Sequence, residues 1–258
     1  MKIKRIAILG AVFGALLLPA TFSPAMAQEE EISLPKQDWS FSGPFGSYDK
    51  ASAQRGFQIY KEVCSACHSM KLSYYRELEG IGLSEAQIKA VAAEQTFPTI
   101  GDDGQPAERP GLPSDHFHSP FPNEKAARAG NNGALPPDQT LLVNAREGGA
   151  DYIYALLNGY EEAPAGVKLG DGMNYNKYFP GHQIGMAAPL SDGQVEYADG
   201  TKATLKQEAH DVATFLAYMS NPELEARKRL GLRVILFLAA LTCVTYAVKR
   251  QIWSDVHH

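Results

Sequence analysis

The pentapeptide Cys64-Ser65-Ala66-Cys67-His68 constrains this chain more than any other feature of its sequence. Its spacing, C-x-x-C-H, is the attachment signature of a c-type haem. Two thiols three positions apart on one helical turn can form thioethers with both vinyl groups of one haem. The adjacent imidazole then faces the iron from the same side. A chain with this motif is expected to fold around a large, flat, apolar cofactor.

Two other uses of paired cysteines fit the sequence less well. A thioredoxin-like dithiol requires a strand before the helix, whereas helix-forming residues precede Cys64. A structural zinc site needs further cysteines or suitably spaced histidines. The remaining histidines of the central region form no such pair of pairs: His116, His118, His182 and His210. The third cysteine, Cys243, lies in an apolar run and is expected to be a small buried hydrophobic residue.

Both ends of the chain carry membrane signals. Residues 1–27 have a basic start, an apolar stretch and the small-residue cleavage site Ala25-Met26-Ala27, as in a cleaved secretory signal peptide. Residues 230–248 form an apolar run interrupted only by Arg233. At about 1.5 Å per residue this run spans roughly 28 Å, close to the hydrocarbon thickness of a bilayer. Basic residues flank the run on both sides, so the export signal sets the orientation.

Four segments are therefore expected in a bacterial cytoplasmic (inner) membrane protein. They are the signal peptide 1–27, a periplasmic haem domain 28–225, a transmembrane anchor helix 226–250 and a cytoplasmic tail 251–258. The predicted haem domain holds 15 Lys+Arg against 28 Asp+Glu, a net charge of about -13. This balance disfavours nucleic acid and anionic lipid and suits the docking of a basic protein, although acidity also serves solubility.

Helical patterns are the main secondary-structure signal. Asp49 is expected to cap a helix that carries Phe57 and Tyr60 into Cys64. Capping-box patterns, each predicting a helix start, occur at Ser84/Gln87 and Thr204/Gln207. A further helix is expected over residues 150–157, stopped by Asn158-Gly159.

Other signals are weaker. Asn221-Pro222 is expected to start the helix that enters the membrane. A small hairpin is expected near residues 194–201, where Asp199-Gly200 suits a turn. Glycine and proline are frequent elsewhere, so long loops are expected, and the proline-rich stretch 97–122 has no assigned role.

The ligand on the second side of the iron would determine the task of the haem, since a thioether raises its potential. Met70 is too close to His68 to reach that side, and Met219 lies on the apolar stripe of a helix. Met173 and Met186 both lie in glycine-rich loops, where backbone can approach a flat ring, and both stay candidates. The small neighbours and the proline of residues 185–189 favour Met186.

Several segments, in this order, resemble the cytochrome c1 family of the bc1 complex. They are residues 55–60 (RGFQIY), 129–137 (AGNNGALPP), 145–160 (AREGGADYIYALLNGY) and 178–189 (YFPGHQIGMAAP). The basic and aromatic residues around the anchor are also similar to that family. The resemblance extends from about Trp39 to Trp253.

This resemblance implies a mainly α fold: a class I-like haem domain with long loops, and one C-terminal transmembrane helix. It implies one covalently bound haem c on Cys64 and Cys67, with His68 and Met186 as the axial ligands. It also implies that further residues surround the haem, with Arg146 facing a propionate: Asn131, Ala134, Pro136, Pro137 and Tyr152. Some bacterial members brace the methionine loop with an extra cysteine pair. This chain lacks that pair, so its loop is expected to be held by packing alone, and His182 to be a solvent-exposed loop residue.

The resemblance further implies an electron-transfer subunit of ubiquinol–cytochrome c oxidoreductase, without an independent catalytic site. Electrons would come from a Rieske iron–sulfur protein, beside cytochrome b, and leave to a soluble basic c-type cytochrome. Two alternatives remain open from the residues alone. One is a tethered cytochrome that delivers electrons by itself to a terminal oxidase. The other is a haem peroxidase with an open iron position.

Overall fold

The computed structural model describes residues 32–255, so the expected signal peptide lies outside the described residues, as do the last three residues of the expected tail. The described chain is mainly helical, as predicted. Its α-helices are α1 (Lys50–Glu62), α2 (Glu85–Ala93), α3 (Glu124–Gly130), α4 (Gly149–Asn158), α5 (Leu205–Ser220) and α6 (Leu224–Ile252). Its strands are β1 (Thr96–Ile100), β2 (Pro106–Pro110), β3 (Asn174–Tyr175) and β4 (Gln183–Ile184). Short 3-10 segments follow α1 and precede α2 and β4.

The packing of α1 against α5 forms the centre of the domain. Asp49 begins α1 as predicted, since its carboxylate accepts the backbone N–H of Ala51 at 2.9 Å. The rings of Phe57 and Tyr60 lie 5.6 and 5.7 Å from that of Phe215 on α5. Residue 56 is a glycine at this crossing, and α4 also packs against α5. The apolar face expected for α1 is therefore the core face, and it leads directly into the cysteine motif.

Local capping signals predicted the starts of α1, α2 and α5, three of the six α-helices in the described residues, whereas α3 was not predicted. The Ser84/Gln87 capping box is complete at the start of α2, and α4 ends at Gly159 as expected. Thr204 caps α5, but the Gln207 side chain donates to Asp211 instead of returning to the cap.

Two expectations were wrong. Helix α6 begins at Leu224, after Glu223, whereas Asn221 ends α5 and its side chain donates to Asn144. The hairpin expected at 194–201 is a turn without strands. An antiparallel hairpin forms elsewhere, between β1 and β2, and overlaps the proline-rich stretch 97–122.

Helix α6 has 29 residues, and an 18-residue stretch within it has a mean hydropathy of 2.0, so the helix is long and apolar enough to cross a membrane. Its apolar side chains are exposed, which fits a membrane anchor. Cys243 is exposed there too, so the expectation that protein buries it was wrong. At the base of α6, Lys228 Nζ donates to the carbonyl oxygens of Phe41 at 2.7 Å and Gly46 at 3.0 Å. These bonds fix the start of the anchor helix to the N-terminal segment of the domain.

Candidate haem site

The two cysteines and the histidine of the motif lie on one tight turn. After α1, the backbone enters a 3-10 segment, Cys64–Ala66, and the N–H groups of Cys67 and His68 both donate to the Cys64 carbonyl at 3.1 and 2.9 Å. Both thiols are free. Burial, with a smaller contribution from the Cys67 thiol, raises the pKa of Cys64 to about 12. The two thiols are therefore free side chains held on a single turn.

The ring of His68 is held in one orientation. Its Nδ1 lies 2.8 Å from the carbonyl oxygen of Pro137. Because a carbonyl only accepts hydrogen bonds, Nδ1 carries the proton and the lone pair lies on Nε2. Burial lowers the pKa of His68, which favours the neutral imidazole. A neutral ring whose Nδ1–H donates to a nearby carbonyl is the usual form of a metal-ligating histidine.

Asp138 supports this arrangement, although the sequence did not single it out. Its carboxylate accepts the Ser69 hydroxyl at 2.8 Å, the Lys71 N–H at 2.8 Å and the Thr140 N–H at 3.0 Å. Burial raises the pKa of Asp138, but these hydrogen bonds outweigh it and hold the pKa below its ordinary value. The only sequence signal was Asp138-x-Thr140, which suits an Asx turn.

The loop after α3 approaches the methionine loop. Asn131 donates from its side chain to the Ala127 carbonyl at 2.7 Å, closing the end of α3. Asn132 and Gly133 then take positive φ values of 51° and 86°, which turns the chain toward Ala134. A Cβ atom added to Gly185 would lie 3.1 Å from the Ala134 Cβ. Residue 134 and the residue before Met186 are therefore in close contact.

Two side chains hold the backbone of Met186. The Tyr160 hydroxyl and the Asn174 amide donate to the Met186 carbonyl at 3.2 and 3.3 Å. The ladder β3–β4 closes the same loop, pairing Asn174 with Ile184. The expectation of a loop held by packing alone was therefore wrong, because hydrogen bonds brace it. Neither Tyr160 nor Asn174 was singled out by the sequence.

The rest of this loop is also ordered by hydrogen bonds. Asn176 is fully buried and donates to the Leu156 carbonyl at 2.7 Å, which joins the loop to α4. His182 stacks on Tyr175 at 5.6 Å and its backbone carbonyl accepts the Asn176 N–H. The expectation of a solvent-exposed His182 was wrong. Met173 lies in the same region, since its sulfur is 4.0 Å from the position of a Gly185 Cβ.

Arg146 and Tyr152 lie together. Tyr152 is 8% exposed; burial raises the pKa of its hydroxyl, and a hydrogen bond with the Arg146 side chain opposes that rise. The guanidinium of Arg146 is otherwise exposed and contacts the Ala145 carbonyl at 3.1 Å. Burial raises the pKa of the Tyr160 hydroxyl, and charge repulsion from Tyr152 raises it further. Tyr152 thus acts electrostatically on the tyrosine that holds Met186.

The donor set fits a c-type haem: two free thiols on one turn, a neutral imidazole with its Nε2 lone pair available, and a braced loop that carries a thioether. In the part of the chain that the structure describes, no group of three or more His, Cys, Asp or Glu side chains could hold a metal ion, so a structural zinc site finds no support there. Cys64 follows a helix and not a strand, so the thioredoxin-like arrangement is also unsupported.

Comparison with known proteins agrees with this fit. The model of the family described as "Cytochrome C1 family" matches residues 39–256. Cytochrome c1 of Rhodospirillum rubrum is 48% identical over 96% of this chain and 97% of its own length. The mitochondrial cytochrome c1 heme protein of Saccharomyces cerevisiae is 47% identical over 89% of this chain and 75% of its own length. The Candida albicans protein named "cytochrome b-c1 complex catalytic subunit, mitochondrial" is 47% identical over 89% of this chain and 81% of its own length.

The fold and the site together define a mainly α-helical haem protein of electron transport, with a C-terminal apolar helix that fits a membrane anchor. More particularly, the chain belongs to the cytochrome c1 family, which supplies the haem subunit of the bc1 complex.

Proposed function

We propose that the chain binds one haem c covalently through Cys64 and Cys67, with His68 and Met186 as axial ligands. It then carries single electrons from a Rieske iron–sulfur protein to a soluble c-type cytochrome. The observation that carries this proposal is the 2.8 Å contact between His68 Nδ1 and the Pro137 carbonyl, beside two free thiols. That contact leaves Nε2 as the only ring atom able to bind a metal.

The side chains around the site have distinct tasks in this proposal. When bound, the haem supplies a one-electron couple at its iron. Tyr160 and Asn174 hold the Met186 backbone, so its thioether is presented from a fixed loop. Arg146 offers charge-assisted hydrogen bonds to a propionate, and Tyr152 orients the guanidinium. Three further residues line the haem: Asn131, Ala134 and Pro136. No acid–base residue is required, because outer-sphere transfer moves no proton.

The membrane arrangement is part of the same proposal. The signal peptide 1–27 exports the haem domain 28–225 to the periplasm, the anchor 226–250 spans the inner membrane, and the tail 251–258 stays in the cytoplasm. The apolar α6 supports the membrane span, and the predicted export signal at residues 1–27 supports the orientation. Within the bc1 complex the chain lies beside cytochrome b and the iron–sulfur protein. The acidic domain, with a net charge of about -13, suits a basic soluble cytochrome.

A redox titration with optical spectra tests the ligand assignment. Met186→Leu should lower the reduction potential, on the order of hundreds of millivolts, because a thioether favours reduced iron. It should also let the ferrous protein bind carbon monoxide, whereas wild type binds little. Met173→Leu is the matched control and should leave both properties unchanged. If only Met173→Leu has these effects, the axial ligand is Met173. If wild type itself binds carbon monoxide readily, an open peroxidase-like iron replaces the electron-carrier proposal.

Purification under mild detergent tests the assembly. A b-type cytochrome and an iron–sulfur protein should copurify with the tagged full chain in constant ratio. Isolation of the chain alone, still competent in reducing an oxidase, would instead support a tethered cytochrome that works by itself.

A further inference from the structure

We propose that Asp138 is a positioning residue for the axial histidine. This inference rests on the proposed function, because it concerns how the chain orients an iron ligand. The Asp138 carboxylate joins the segment after His68 to the segment after Pro137. It thereby fixes the His68–Pro137 hydrogen bond, which sets the orientation of the imidazole ring.

The carboxylate of Asp138 connects two segments, residues 69–71 and 138–140, that are far apart in sequence. One oxygen, Oδ2, accepts both the Ser69 hydroxyl and the Lys71 N–H at 2.8 Å. The other, Oδ1, accepts the Thr140 N–H at 3.0 Å. The Gln139 N–H donates back to the Ser69 carbonyl at 2.8 Å. The two segments are thus held by bonds in both directions, and those to the carboxylate are charge-assisted.

These bonds form a closed ring that includes the histidine. Ser69 directly follows His68, and Pro137 directly precedes Asp138. The ring runs from the His68 imidazole to the Pro137 carbonyl, along the backbone to Asp138, across to Ser69 and back to His68. Pro137 has a fixed φ, so its carbonyl direction depends on how the following residue is held. Release of the Asp138 carboxylate therefore frees the acceptor on which the ring orientation depends.

The segment has a second attachment that would limit the damage of a substitution. The Ser220 hydroxyl of α5 donates to the Thr140 carbonyl at 2.9 Å, and Leu72 N–H donates to the Thr140 hydroxyl at 3.2 Å. Loss of Asp138 should therefore loosen the histidine locally without unfolding the domain.

Two variants of the full-length, haem-loaded protein in detergent test the inference: Asp138→Asn and Ser69→Ala. Asn keeps the volume of the side chain but replaces one accepting oxygen with a donor. Ser69→Ala removes one hydrogen bond and leaves the charge in place. The readouts are the exchange rate of the His68 Nδ1 proton in the ferrous protein, by NMR, and the gz signal of the ferric protein, by EPR. Asp115→Asn is the matched control, since Asp115 also accepts a backbone N–H, from Leu112, in another turn.

Asp138→Asn should speed Nδ1 proton exchange at least about tenfold, which corresponds to about 1.4 kcal/mol in the opening equilibrium. Its gz signal should shift, because the imidazole plane turns. Ser69→Ala should change the exchange rate and the gz signal in the same direction as Asp138→Asn, but by less. Asp115→Asn should change neither readout. If Asp138→Asn fails to mature, Ser69→Ala carries the test alone.

The inference is overturned if Asp138→Asn leaves both readouts unchanged. It is also overturned if Ser69→Ala behaves as wild type while Asp138→Asn shifts gz, because charge and not position would then be the cause. Failure of the proposed function has a different signature: the wild-type spectra would then lack a low-spin haem with histidine and thioether ligands.

Discussion

Replacement of Gly56 by alanine should destabilise the crossing of α1 and α5. A Cβ atom at residue 56 would lie 2.6 Å from the carbonyl carbon of Asp211 and 2.7 Å from the Cβ of Phe215. Both atoms belong to the rigid frame of α5 and cannot swing aside as the end of a flexible side chain can. The two helices would have to separate, which would loosen the contacts of Phe57 and Tyr60 with Phe215.

Two effects of this substitution oppose each other. In a helix interior, alanine is more favourable than glycine by about 1 kcal/mol. Overpacking a core costs about 1–3 kcal/mol, and occasionally more. Because the clash at Gly56 involves backbone and a Cβ atom, the upper end of that range applies. The net expected loss is about 2 kcal/mol. For a domain of this size such a loss corresponds to a fall in Tm of about 4–8 °C.

Thermal unfolding of the haem-loaded protein in detergent, followed by far-ultraviolet circular dichroism, measures this loss. Ala51→Gly is the matched control, because Ala51 is exposed on the same helix. That variant makes the opposite exchange and should lose up to about 1 kcal/mol through helix propensity alone. Alanine would then be the better residue at position 51 and the worse one at position 56. A Gly56→Ala protein as stable as wild type, or more stable, would refute the close-packing argument.

Three further outcomes are expected. Lys228→Met removes the donor to the Phe41 and Gly46 carbonyls and should speed protease cleavage in that segment without changing the haem spectrum; unchanged cleavage would show that these bonds are unimportant. Burial raises the pKa of Asp211, but hydrogen bonds from its neighbours outweigh this and hold it at about 2, against an ordinary 3.8. Its stabilisation is therefore complete above about pH 4 and lost as the pH falls toward 2. Asp211→Asn should flatten acid unfolding in that window, and a curve as steep as wild type would contradict this. Finally, higher ionic strength should slow oxidation by a basic soluble cytochrome, and the absence of any salt effect would refute electrostatic docking.

The helices could be predicted because their signals are local. Asp49, Ser84 and Thr204 each cap the helix that follows them, and the residues that decide this lie within one turn. Asn221 misled because it ends α5 instead: its backbone N–H donates to the Ala217 and Tyr218 carbonyls, and its side chain donates to Asn144, which is distant in sequence.

The hairpins were misjudged for a different physical reason. The prolines of β1 and β2 argued against strands, but a two-stranded ribbon has edges on both sides, where missing donors are tolerated. Near 194–201 the turn at Asp199-Gly200 formed, whereas its flanks bind elsewhere. Val195 N–H donates to Glu208, and Arg55 binds Asp199. Glu208 lies on α5 and Arg55 on α1, so the segments beside the turn bind helices instead of each other and form no ladder.

The candidate haem site likewise has a part that local sequence predicts and a part that depends on long-range contacts. The motif residues Cys64, Cys67 and His68 follow from spacing alone, since their chemistry is carried by one turn. The roles of Asp138 and Tyr160 depend on contacts between segments far apart along the chain. No local sequence pattern predicts such contacts.

The anchor and the histidine side of the site are parts of one hydrogen-bonded frame. The Ser220 hydroxyl, in the last turn of α5, donates to the Thr140 carbonyl, and Thr140 binds Asp138. Four residues after Ser220 the chain enters α6, whose Lys228 holds the N-terminal segment. Without these hydrogen bonds, the segment that supports His68 would be free to change its position in this loop-rich domain. Because the supporting segment is fixed to the helix that leads into the anchor, the proposed haem ligand keeps a set position relative to the start of α6. In the proposed function this fixed position matters, because the rate of electron transfer depends steeply on the distance from the haem edge to the partner.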